Sequence, residues 1–124
     1  MNKIKIIFFG TQEFAAEILK GLLSSDFLDV ELVVTQPDRK VGRKQILEEP
    51  PVKKLAMAHN IKIEQPETLK NFQFSIFNFQ LAIVAQYGLI IPGKLIESFP
   101  MGMLNVHGSL LPKYRGASPI QTAL

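Results

Sequence analysis

Apolar residues in this chain fall into short runs separated by stretches of helical spacing. Residues 3–9 form a β-rich apolar run closed by Gly10, the pattern of a strand buried on both faces. Thr11 then stands where a helix cap is needed, with Glu13 in the first turn, where the helix dipole favours a carboxylate. Phe14, Ile18 and Leu22 recur at helical spacing and give that helix an inward face. Residues 30–35 read as a second strand. Pro50 and Pro51 open a second helix, with Val52, Leu55, Ala56 and His59 on one face and Asn60 as a left-handed stop. A short third strand at 61–64 precedes a strong buried strand at 81–86, which ends at Tyr87-Gly88. Residues 93–99 predict a helix stopped by Pro100, and residues 101–107 a fifth strand running into Gly108.

Two stretches escape these patterns. Residues 36–49 carry no periodicity, contain Pro37 and Gly42, and are long for a strand-to-helix connection. Residues 71–80 fit neither template, and Phe72, Phe74, Phe77 and Phe79 read as rings that cover the core rather than as a base-stacking platform. The β-α-β-α-β alternation predicts an α/β, Rossmann-like fold, a mainly parallel sheet with helices on both faces. Such sheets bind ligands at the carboxyl ends of their strands, near a topological switch point. The 124 residues amount to one domain without repeats or linkers. Ser118-Pro119 starts a further helix that Leu124 cuts before two turns, so the chain reads as a fragment.

Composition narrows this little. The hydrophobic fraction of 47% and charged fraction of 20% suit a soluble globular protein. Without cysteine there can be no disulfide, thiolate metal site or cysteine nucleophile. Lys3 and Lys5 before the apolar 6–9 run imitate a signal peptide, but the run is too short and Glu13 follows at once. With no run long enough to span a membrane, the expected location is the cytoplasm. The net charge of +3 is modest, yet it is concentrated: Arg39, Lys40, Arg43 and Lys44 lie together, with no acid between Asp38 and Glu48. Such a centre fits either a solvated connection or a contact with RNA phosphates.

The chemistry gathers near the end of the chain. Asn105 and His107, two apart on a strand, project to the same face at its carboxyl end. A side-chain amide can steady an oxyanion and an imidazole can move a proton, the pair that acyl transfer needs. On their own, these two residues fit a hydrogen-bonded polar pair at a strand end at least as well. The Gly10-Thr11 turn is a weak anion site, since it lacks the other glycines of a dinucleotide fingerprint and a Walker-type lysine.

The surrounding run Leu104-Asn105-Val106-His107-Gly108-Ser109-Leu110-Leu111-Pro112-Lys113-Tyr114-Arg115-Gly116 closely resembles the signature of the 10-formyltetrahydrofolate-dependent formyltransferases. Phe9-Gly10-Thr11-Gln12-Glu13-Phe14-Ala15 is similar to the opening of the family's tRNA-directed members. Thr35-Gln36-Pro37-Asp38-Arg39, Gly42-Arg43 and Pro51-Val52-Lys53 resemble their first variable loop. Ala85-Gln86-Tyr87-Gly88-Leu89-Ile90-Ile91-Pro92 matches the strand and turn over which the pterin lies. The resemblance runs from Ile4 almost to Leu124, with residues 71–79 as the exception. Lys44 departs from it, standing where these members commonly have glycine.

That resemblance implies formyl transfer from 10-formyltetrahydrofolate to the amino group of methionyl initiator tRNA, in translation initiation. It implies Asn105 and His107 as catalytic and Ser109, Leu110, Leu111 and Pro112 as folate-binding, while the length and one-sided basic centre of the 36–49 loop mark Arg39, Arg43 and Lys44 as RNA-binding. No metal is called for, and a monomer is the expected state, though not one that the resemblance sets. Residues 1–124 then form the N-terminal portion of the catalytic domain, with a catalytic Asp and a tRNA-gripping domain beyond Leu124. The chain by itself is accordingly expected to be inactive. Two alternatives stay open: the same chemistry on an amino sugar nucleotide or glycinamide ribonucleotide, and a folate- or nucleotide-binding module without catalysis.

Overall fold

The computed structural model describes residues 2–72 and 78–107. Its centre is strand β1 (Ile4–Gly10), apolar throughout residues 6–9. Ile6 and Phe8 point to one face and Ile7 and Phe9 to the other, and all four are fully buried. Helix α1 (Glu13–Leu23) leads to β2 (Leu28–Val34), and helix α2 (Pro51–Ala58) to β5 (Lys62–Glu64). Strand β6 (Leu81–Ala85), the short helix α3 (Gly93–Glu97) and β7 (Met103–Val106) follow. These five strands form one sheet in the order β5-β2-β1-β6-β7, with every pairing parallel.

Parallel strands need covered faces, and both faces here are covered. Ala15 and Leu19 of α1 and Val52 and Ala56 of α2 pack with Ile6, Phe8, Val33 and Ile83 on one side. On the other, Leu69, Phe79, Tyr87 and Phe99 pack with Ile7, Phe9, Val34 and Val84, and Leu95 of α3 joins them. Phe79 is buried and Phe72 packs against the same cluster, so these two rings cover the core as expected. Phe74 and Phe77 lie outside the described residues.

Three local readings are corrected. The expected inward face of α1 is rotated by one residue: Ala15 and Leu19 are fully buried, while Phe14, Ile18 and Leu22 flank them half-buried. Thr11 does not cap that helix. The cap position belongs to Gln12, and the Ala15 N–H is instead met by the Gln86 side-chain oxygen at 3.2 Å, from the far end of β6. His59 is exposed at the carboxyl end of α2 rather than on its inward face. Asn60 does take the left-handed conformation, with φ of 57°.

Residues 36–49 are the largest difference. They contain an antiparallel ribbon of β3 (Arg39–Val41) and β4 (Ile46–Glu48), pairing Arg39 with Glu48 and Val41 with Ile46. Its turn is closed by Gln45 N–H donating to the Gly42 carbonyl at 3.2 Å. Every residue of both strands is exposed, so no burial pattern marks them as strands. Lys44 is not among the residues with positive φ, so its turn position has no need of glycine.

Sheet order reverses between β1 and β6, and there the backbone is crowded. A Cβ on Gly10 would sit 2.7 Å from a Phe8 ring carbon, 2.8 Å from Ala15 Cβ and 2.8 Å from the Ala85 carbonyl. Because two of those neighbours are fixed by sheet and helix, Gly10→Ala is expected to cost about 1–3 kcal/mol in thermal or denaturant unfolding.

Candidate active site

Three strand ends meet at the switch point, and Thr11 ties them together. Its N–H donates to the Gln86 carbonyl at 3.1 Å, and its hydroxyl donates to the Tyr87 carbonyl at 2.9 Å. The same hydroxyl accepts from Gln36 N–H at 3.3 Å, and the Thr11 carbonyl accepts from Val52 N–H, also at 3.3 Å. The Thr11 N–H is therefore occupied, which favours a plain tight turn over an anion site. Gly88 has φ of 93°, and a Cβ there would collide with the Gln36 side-chain amide. Glycine is required on both counts.

Beside this junction lies a depression of about 460 Å³, at the carboxyl ends of β6 and β7. Gln86, Tyr87, Gly88, Leu89 and Ile91 line one side, Asn105, Val106 and His107 another, and Val84, Met103 and Ile96 contribute the rest. Register explains how the polar pair arrives there. Met103 pairs with Ala82 and Asn105 with Val84, so the face of β7 that is buried at Met103 turns polar at Asn105. His107, just past the strand, lines the same depression. Asn105 is half-buried and His107 exposed.

Tyr87 is the notable polar group of the wall. Its ring meets Phe9 edge-on, with centroids 5.5 Å apart, and the residue is 2% exposed. Its hydroxyl is buried without a hydrogen-bond partner. Burial pushes the phenol up to about 12, so it stays neutral at any working pH and keeps its proton to donate. The turn at 86–88 was legible from the resemblance; nothing in the sequence marked an unpartnered hydroxyl.

Ser109, Leu110, Leu111 and Pro112 lie outside the described residues. Arg39 stands on β3, and Arg43 and Lys44 occupy the tip of the ribbon, all exposed. They form a separate cationic feature and do not line the depression. Among the described residues, no group of three or more His, Asp or Glu side chains is placed to hold a metal ion, and no helix is long and apolar enough to cross a membrane.

Comparison with known proteins agrees with this architecture. The methionyl-tRNA formyltransferase of Bdellovibrio bacteriovorus is 46% identical over 129 residues, covering 100% of this chain and 41% of that protein. That of Pseudomonas fluorescens is 49% identical over 125 residues, covering 98% of this chain and 39% of that protein. The chain thus spans about 40% of the length of these curated relatives. Among solved structures, phosphoribosylglycinamide formyltransferase from Bacillus halodurans superposes with a TM-score of 0.53 at 16% identity, over 93% of this chain and 61% of that one. At that identity the likeness speaks for the fold alone. The family profile described as formyl transferase matches residues 2–124, and the chain belongs to that family.

Proposed function

We propose that this chain supplies the N-terminal portion of the catalytic domain of an enzyme that moves a formyl group from 10-formyltetrahydrofolate to the amino group of methionyl initiator tRNA. The observation that carries the reading is the shared depression, with Asn105 and His107 facing the Gln86–Gly88 turn at the carboxyl end of a switched parallel sheet. The names of the similar proteins support the acceptor, and the exposed cations of the ribbon suit its phosphates. A charged tRNA and a folate are both cytoplasmic partners, and nothing in the chemistry asks for more than a monomer.

In this reading the methionyl amine attacks the formyl carbon, forming the new C–N bond and a tetrahedral oxyanion. The Asn105 side-chain amide donates to that oxyanion, stabilising charge that exists only after attack. His107 takes the proton released by the attacking amine and delivers it to the folate nitrogen as the old C–N bond breaks. No redox step and no metal is required. The backbone around Tyr87 offers polar contacts to the folate, together with the 109–112 segment.

The acceptor is tested through the ribbon, in the complete gene product. Arg43→Ala is expected to weaken tRNA binding and leave folate binding unchanged, because a guanidinium at the ribbon tip can pair bidentately with a phosphate. The slope of log affinity against log salt should become shallower by about 1. An unchanged affinity and slope would remove the ribbon from RNA recognition. Faster transfer to an amino sugar nucleotide than to charged initiator tRNA would overturn the acceptor itself.

A further inference from the structure

The exposed ribbon has strands of three residues each and buries none of them. An isolated two-stranded hairpin of this kind is marginal in water, so its direction must be set by its feet. One side chain holds both. Lys53 of α2 places Nζ 3.0 and 3.1 Å from the two oxygens of Asp38, which precedes β3, and 3.4 Å from Glu49 Oε2, which follows β4. Gln65, just past β5, donates its amide N–H to the Asp38 carboxylate at 2.7 Å and to the Gln36 carbonyl at 3.1 Å. The Gln36 side chain in turn donates to the Tyr87 carbonyl at 2.7 Å. Hydrogen bonds therefore run unbroken from the ribbon's feet to the wall of the depression. The Gln65 amide and the Lys53 ammonium hold Asp38 below the ordinary carboxylate range, so this anchor is charged at neutral pH.

We infer that Gln65 is a positioning residue: by bridging Asp38 and Gln36 it fixes the angle between the basic ribbon and the Asn105–His107 depression. The inference rests on the formyl-transfer reading above. Phosphates held at the ribbon tip and an amine held at Asn105 and His107 belong to one acceptor, so the two features must keep one relative placement for both to engage. A ribbon that swings freely still attracts the polyanion but pays for its alignment at each encounter. Gln65 is the informative member because it is neutral. Replacing it alters no charge that the acceptor could feel.

The test is Gln65→Met in the complete gene product. Loss of two bridging hydrogen bonds is expected to lower kcat/KM for the tRNA by about 10-fold, with folate affinity little changed and only a modest fall in melting temperature. Backbone amides at 39–48 should exchange with solvent faster, which a residue unconnected to the ribbon would not cause. In an Arg43→Ala, Lys44→Ala background the effect of Gln65→Met should be much reduced, because a swinging ribbon without its tip cations has little left to misplace. Lys53→Arg, which keeps both ion pairs, should retain parental tRNA kinetics. If the tip variant matters and Gln65→Met does not, or if their losses add in full, the inference fails alone. If the tip variant itself leaves tRNA kinetics unchanged, the ribbon is no RNA contact and the inference falls, while the formyl-transfer reading still stands on the Asn105–His107 depression.

Discussion

His107→Ala is expected to slow formyl transfer in the complete gene product by roughly 10²–10⁴, the range lost with a proton-transfer group. The side chain is exposed at the end of β7 and belongs to neither apolar cluster, so truncating it removes little packing. Folding stability should therefore hold, within about 0.5 kcal/mol. Folate affinity should survive, since the donor contacts are assigned to the 86–88 turn and to residues 109–112. The loss should fall on kcat and kcat/KM alike, as it does for an interaction made chiefly in the transition state. Single-turnover kinetics with charged initiator tRNA measure this directly.

Asn105→Ala carries the second large effect, roughly 10²–10³ in rate for one oxyanion donor. Its environment differs from that of His107. Asn105 is half-buried and pairs along the ladder with Val84, so truncation opens space beside the core face that begins at Met103. A modest fall in melting temperature is expected alongside the kinetic loss. Asn105→Asp is the sharper probe, because it keeps shape and replaces a donor with an acceptor-only carboxylate. It should be at least as slow as Asn105→Ala while melting closer to the parent. Recovery of rate by Asp would exclude the donor role.

Much of this site is legible in the sequence because its determinants are local. Residues two apart on a strand share a face, so the spacing points Asn105 and His107 to one site, and both line the depression although β7 ends one residue before His107. Strands β1 and β6 are equally plain, since burial on both faces demands unbroken apolar runs. The features that escape such reading depend on partners far along the chain. Thr11 looks like a cap from its neighbours, yet its hydroxyl serves Tyr87, 76 residues away, while Gln86 meets the helix from 71 residues away. The ribbon is invisible because exposed strands of three residues leave no apolar period, and only the cluster of cations marks it. The Lys53, Gln65 and Gln36 bridges join four separate segments, and no spacing rule connects them.

Double-mutant analysis of Asn105 and His107 tests the account at its centre. Single-turnover rates and melting temperatures would be measured on the same preparations of the parent, Asn105→Ala, His107→Ala and the double variant. Two groups serving one transition state predict a double variant slower than either single by far less than the product of their losses, with all four proteins folded and folate bound. Near-parental rates in whatever remains folded, accompanied by lowered melting temperatures, would make the pair a structural feature of the strand end and contradict the mechanism.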